Sequence, residues 1–208
     1  MTDGILLVGA SGLAREVLAA GITGVVGILD DDAELHGTEI GGVPVIGSVI
    51  EAIPRTESLL VCVGGGRGRR DVVHRLRESG LGEDRYARFV TRSARIGSSS
   101  DIGPGTIVLD NVVVTADAAL GRHVVIMPGC TVTHDGVLED FATLAAGVSL
   151  GGSVRIGEAA YIGMNASVRQ GVRVGAAATV GMGAAVLGDV PAAATWAGVP
   201  AHEVGGSA

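Results

Sequence analysis

Residues 154–186 read VRIGEA AYIGMN ASVRQG VRVGAA ATVGMG AAV, and the third residue of every block is a branched aliphatic. Followed backwards, the same spacing gives Ile96, Ile102, Val108, Val114, Leu120, Ile126, Val132, Leu138, Leu144 and Leu150, then Ile156, Ile162, Val168, Val174, Val180 and Val186. All sixteen positions hold Ile, Leu or Val. Two residues before each stands a small or β-branched residue, from Ala94 and Ser100 to Ala184, and Gly follows the aliphatic in eight cases, Gly97 and Gly157 among them. A helix would show apolar residues at spacings of three and four, and a half-buried strand would alternate. One large aliphatic every sixth residue fits short strands joined by tight turns around a narrow prism. The aliphatic points inward, the small partner closes the corner, and glycine relieves strain in the turn. Coils stacked at about 4.8 Å then pair their backbones above and below.

Composition limits the rest. The chain has 208 residues, 47% of them apolar, with five aromatics (one Trp, two Tyr, two Phe), so its core is built from Val, Ile, Leu and Ala. With 35 Gly and only 6 Pro it is too apolar for disorder. The net charge is −7 and all fifteen basic residues are Arg. An acidic chain poor in aromatics is a weak candidate for nucleic acid. Nine arginines between Arg67 and Arg95 read as a solvated helix face, with contact to an anionic ligand as the other reading. The start, Met1-Thr2-Asp3-Gly4, has no basic n-region, and no apolar run is long enough to span a membrane. Cys62 and Cys130 stand in apolar surroundings and suggest buried free thiols, so a cytoplasmic location is expected.

Residues 1–90 have a different grammar. Strand Ile5–Val8 runs into Gly9-Ala10-Ser11-Gly12 and a helix over Leu13–Ala20; strand Val25–Leu29 ends in Asp30-Asp31-Asp32; strand Leu59–Val63 meets Gly64-Gly65-Gly66 before a helix over Arg67–Ser79. Strand, glycine turn, helix, strand opens a doubly wound, Rossmann-like α/β unit that binds ligands beyond the carboxyl ends of its strands. Glycines there admit a phosphate to a helix N-terminus, and the aspartates offer acceptors to a hydroxyl or a base. Gly9-x-x-Gly12 is only part of the dinucleotide fingerprint and also serves simply to turn the chain. A mononucleotide or nucleotide-sugar suits so short a unit. The expected division is 1–90, nucleotide-sugar binding, and 91–208, the repeat domain with its tail.

The repeats resemble those of the hexapeptide-repeat transferases, which implies a left-handed parallel β-helix with 18 residues per coil. Gly9-Ala10-Ser11-Gly12, Leu29-Asp30-Asp31, Cys62-Val63-Gly64, His134-Asp135 and Gly198-Val199-Pro200-Ala201 together resemble the bacterial N-acetyltransferases of UDP-linked 4-amino sugars, with relatives acting on perosamine and sialic acid. The resemblance implies a homotrimer with acetyl-CoA held between subunits and a nucleotide-linked sugar, UDP-linked as in that family, held by Gly9, Ser11, Gly12, Leu13, Asp30, Asp31 and Gly64. It also implies acetyl-CoA contacts at Thr143, Gly152, Met164 and Met182. An amine attacking a thioester must lose a proton, which suits a histidine. His134 lies two residues past the inward Val132, near a corner, and in the family the matching histidine is the base, assisted by its acidic neighbour, Asp135 here. That pairing requires a bend, because adjacent strand residues point to opposite faces. Gly152, one coil beyond His134, matches the family's backbone donor to the oxyanion. Leu13 stands where the family commonly has histidine, Thr143 where it often has another, and no basic residue follows Pro200-Ala201. The phosphates of CoA would then meet Arg169, Arg173 or solvent.

Other functions on the same frame leave different marks. Acetyl transfer to a sugar hydroxyl would use the same base. A zinc hydratase needs three histidines, and none follows His134 closely; no metal is expected. A non-catalytic nucleotide-binding protein keeps the fold without the chemistry. His36, His74 and His202 lie outside the repeats, and His123 has no acidic neighbour.

Overall fold

A computed structural model describes residues 4–205, so the reading of Met1–Asp3 lies outside the described residues. The repeats form a parallel β-helix. Two-residue strands recur every six residues and pair with strands eighteen residues on, as in Ile96↔Val114, Val114↔Val132 and Val132↔Leu150. The prism has three faces. The first stacks Arg95–Ile96 up to Ala185–Val186, the second Asp101–Ile102 up to Arg173–Val174, and the third Ile107–Val108 up to Thr179–Val180. Of the sixteen aliphatics, all but Ile96 and Ile102 are buried in the shaft, with Ala118, Val124, Cys130 and Ala142 from the small positions beside them. This arrangement fits the left-handed β-helix of acetyltransferases. Trp196 takes the register position above Val180 and packs against the end of the shaft.

The start of the helix differs from expectation. Phe89–Val90 already pairs with Ile107–Val108, so coiling begins before the first hexad. His202 lies beyond the last hexad, as expected, in the strand His202–Glu203, which pairs antiparallel with Thr195–Ala197.

The glycine that follows eight of the aliphatics also has another cause. Gly97, Gly157 and Gly163 do not have positive φ. A Cβ on Gly157 would sit 2.5 Å from the amide nitrogen of Ala176 in the next coil, so glycine is required by close approach. The left-handed residue comes two positions later, at Asn111, Asp117, His123, Asp135, Phe141, Ser153, Ala159, Asn165 and Ala177, with φ between 54 and 62°. Asn and Asp tolerate that region; Phe and Ala adopt it because stacking on both sides fixes the turn.

The N-terminal segment builds β1 (Ile5–Val8), α1 (Gly12–Ala19), β2 (Val25–Leu29), β3 (Glu39–Ile40), β4 (Val43–Gly47), β5 (Ser58–Val61) and α2 (Gly66–Glu78). The sheet order is β3-β4-β2-β1-β5, parallel except for the β3–β4 hairpin. The sequence reading has no counterpart for that hairpin, although Gly41-Gly42, both at positive φ, carries its turn signal. Helix α1 starts at Ser11, whose hydroxyl accepts from the Leu13 amide (3.0 Å) and donates to the Cys62 carbonyl (2.5 Å). Gly9, at φ 105°, passes so close to Cys62 that a Cβ would lie 3.1 Å from its carbonyl oxygen.

This sheet docks on the third face. Leu7, Ile28 and Cys62 pack with Ile107, Leu109 and Val125, while Leu6, Leu59, Val73 and Leu76 pack with Phe141 and Ala159. The arginine stretch read as a solvated face departs from that reading at Arg69, which is fully buried, while Arg67, Arg75 and Arg77 on the same helix are exposed. Its guanidinium donates to the carbonyls of His123 (2.7 Å), Val63 (2.6 Å), Gly64 (3.0 Å), Phe141 (2.9 Å) and Ala142 (3.3 Å), and to Thr143 Oγ1 (3.0 Å). Burial lowers its pKa to about 10, which leaves it charged at neutral pH. Arg67 donates to the Ala177 carbonyl, and Arg70 pairs with Glu158.

Two outcomes follow. Leu144 is fully buried in the shaft, so Leu144→Ala costs about 2–5 kcal/mol in denaturant unfolding, and a neutral result contradicts the packing. His123 is 1% exposed, stacked on Phe141 and edge-on to Tyr86, with no partner for either ring nitrogen among the described residues. Burial, and then the charge on Arg69, push its pKa down from 6.5 to about 4, with Asp140 opposing and Arg122 adding to the shift. The unfolded chain therefore binds the extra proton between these values, and stability present above about pH 6.5 falls by about 3 kcal/mol as pH drops through about 4. His123→Asn flattens that slope in unfolding midpoints taken across the interval; an unchanged slope rules the residue out as its source.

Candidate active site

The turn between the first and second faces carries His134. After the inward Val132 the chain leaves the strand, and Asp135 adopts φ 59°. That left-handed residue supplies the bend the pairing requires, and Asp135 Oδ2 lies 2.7 Å from His134 Nδ1. Both side chains are exposed. A carboxylate only accepts, so in the neutral ring the tautomer with the proton on Nδ1 and the lone pair on Nε2 is favoured.

Gly152 occupies the same turn position one coil on. A Cβ there would lie 2.5 Å from both His134 Nε2 and Cε1, so the imidazole edge rests over this glycine. The Gly152 amide has no acceptor among the described residues. His134, Gly152, Ser153, Gln170 and Gly171 line an open cleft of about 390 Å³. Gln170 was not singled out from the sequence, although the step of eighteen from His134 through Gly152 leads to it.

A second cleft, of about 490 Å³, opens where the N-terminal sheet meets the third face. Gly12, Leu13 and Gly64 line it from the sheet side, and Thr143, Tyr161 and Met164 from the β-helix. Candidate sugar and cofactor contacts are thus brought together. Tyr161 and Glu16 join them without having been expected. Met182, one coil above Met164, is 71% exposed and does not line this cleft.

Gly9, Ser11, Asp30 and Asp31 also lie outside its lining. Both aspartates are already engaged. Asp30 accepts from the amides of Ala10 (2.6 Å) and Asp32 (2.9 Å), and Asp31 accepts from the Val49 amide (3.0 Å) and the Arg75 guanidinium. They shape the glycine loop and tie it to the turn after β4 and to α2, while the Asp31 carboxylate stays about half exposed. Arg169 and Arg173 belong to the first–second corner and the second face, away from Thr143 and Met164 in the same chain. The two clefts therefore occupy different corners of one prism. Among the described residues no cluster of His, Cys, Asp or Glu could hold a metal, and no helix is long and apolar enough to cross a membrane.

No protein-family model matches the chain, and a search of curated proteins finds no match. Solved structures do match. A histidine-to-alanine mutant of GDP-perosamine N-acetyltransferase from Caulobacter crescentus, in complex with CoA and GDP-perosamine, shares 31% identity over 98% of this chain and 97% of that one, with a TM-score of 0.88. The acetyltransferase domain of PglB from Neisseria gonorrhoeae, in complex with acetyl coenzyme A, shares 32% identity over 98% and 100%, also with a TM-score of 0.88. WeeI from Acinetobacter baumannii, at 24% identity and a TM-score of 0.77, shares the fold. With the hexad prism and near-complete coverage of these relatives both in place, the chain belongs to the hexapeptide-repeat family of acetyl-CoA-dependent sugar N-acetyltransferases.

Proposed function

We propose that this protein transfers the acetyl group of acetyl-CoA to the amino group of a nucleotide-linked sugar, with His134 as the base. The observation that carries this reading is the imidazole held by Asp135 at Nδ1 with Nε2 poised over Gly152. The amine attacks the thioester carbonyl and gives its proton to Nε2; the Gly152 amide donates to the oxyanion; collapse expels the CoA thiolate, which takes the proton back from His134. Asp135 fixes the tautomer and steadies the imidazolium. Residues 1–90 act as the nucleotide-sugar unit and 91–208 as the transferase unit, in a cytoplasmic setting.

Gly12, Leu13 and Gly64 receive the sugar nucleotide, while Thr143, Met164 and Met182 meet acetyl-CoA. Gly9, Ser11, Asp30 and Asp31 contribute by holding the loop in shape. The resemblance in sequence favours a uridine nucleotide; the Caulobacter relative, complexed with GDP-perosamine, favours guanosine. Transfer to nitrogen rather than oxygen rests on the N-acetyltransferases it matches.

The site requires a neighbouring copy. The base and the cofactor cleft flank the first face on opposite sides. That face presents Val113, Thr131, Ser149, Ser167 and Ala185 outward, without charge above Arg95, while the second presents Asp101, Arg155 and Arg173. A trimer with the first faces turned to its axis sets His134 of one protomer beside the Thr143–Met164 cleft of the next.

The test is thiol release from acetyl-CoA with UDP- and GDP-linked 4-amino sugars. His134→Ala lowers kcat by about 10²–10⁴-fold with the oligomer intact; retained turnover removes the assigned role. Gly152→Ala, whose methyl occupies the place of the imidazole, lowers kcat by about 10²-fold or more at an unchanged melting temperature. Full activity in that variant contradicts the geometry.

A further inference from the structure

The buried guanidinium of Arg69 touches both walls of the second cleft. Nη1 holds the carbonyls of Val63 and Gly64, and Gly64 lines the sheet side. Nη2 holds Thr143 Oγ1 at 3.0 Å, and Thr143 lines the β-helix side. No carboxylate pairs with this cation among the described residues. Its five N–H groups are spent on six oxygens drawn from a loop of the sheet and from coils of the prism. Fixed donors in a planar fork set distances between their acceptors, which an ammonium on a flexible stem cannot do.

The consequence for Thr143 is specific. Its oxygen accepts from Arg69, so its own proton must find an acceptor elsewhere, and it has none among the described residues. The side chain is 4% exposed, and that remnant faces the cleft.

We propose that Arg69 is a positioning residue for acetyl-CoA, orienting the Thr143 hydroxyl as a donor to a carbonyl of the cofactor's thioester-bearing arm while fixing the Gly64 wall opposite. This rests on the acetyl-CoA reading above. The two residues form one relay: loss of either forfeits the same hydrogen bond to the cofactor, and loss of both forfeits it once.

The experiment compares Arg69→Lys, Thr143→Val, Thr143→Ser and the double variant Arg69→Lys/Thr143→Val. The readouts are steady-state kinetics, equilibrium titration of acetyl-CoA and melting temperature. Arg69→Lys and Thr143→Val each raise the acetyl-CoA KM and dissociation constant about tenfold, with kcat held within about threefold. The double variant stays within about twofold of the weaker single, and Thr143→Ser restores the wild-type value. Multiplying effects, or a lower melting temperature with unchanged acetyl-CoA binding, overturn the proposal. Should Arg69→Lys fail to fold, Thr143→Val against Thr143→Ser decides alone: equal binding by the two overturns it. A wild-type protein that binds no acetyl-CoA contradicts the functional reading itself and the relay with it, a result distinct from intact binding that ignores both residues.

Discussion

Everything in this molecule follows from one packing constraint, an aliphatic side chain returned to the axis of a prism every sixth residue. Three such steps close a coil, so residues eighteen apart are stacked within one strand spacing. The constraint makes the corners addressable. His134, Gly152 and Gln170 lie far apart as chain positions go, yet they form one column, and Thr143 and Tyr161 form another. A glycine in such a column shapes its corner, because leaving out one Cβ at Gly152 gives the ring of His134 one coil below its place. The shaft itself is chemically inert. Its role is to present side chains at corners whose spacing is set by backbone hydrogen bonds.

The second organising contact is the seating of the N-terminal sheet on the third face. Apolar burial supplies its bulk, through Leu7, Ile28 and Leu59 against Ile107, Val125 and Phe141. Arg69 supplies its register. A buried cation satisfied by carbonyl dipoles is stable only where those carbonyls stand, so it specifies the docked position more sharply than methyl groups do. The same seating buries His123 with no hydrogen-bond partner for its ring nitrogens among the described residues, which links the docked state to pH. A single contact region thus combines stability with the shape of the second cleft.

Local features were legible in the sequence; those that depend on two distant segments were not. The hexads, β1, β2, both long helices and the His134–Asp135 pair can be read from periodicity, glycine turns and the family motif. Observed boundaries lie close to those expected, as with β5, which ends at Val61 where Val63 was expected. Arg69 could not be read, since an arginine on a charged helix looks the same whether it meets water or buried carbonyls. Asp30 and Asp31 were read as acceptors for a ligand, and their further partners Ala10, Val49 and Arg75 could not be read because the folded loop brings them together. The glycine after eight of the aliphatics was assigned to turn strain because φ and coil-to-coil clearance leave the same residue in a sequence. Left-handed turns at Phe141 and Ala159 carry no signal in residue type, only in their place in the hexad.

The central claim is that the base on one corner serves the cleft on the opposite corner of a neighbouring copy. It is tested most directly by co-expressing two inactive chains, His134→Ala and Ala146→Trp, the latter filling the cleft that Ala146 lines. With equal random assembly into cyclic trimers, about one quarter of interfaces unite an intact His134 with an intact cleft, and about a quarter of wild-type turnover returns. Mixed oligomers no more active than either parent contradict the account.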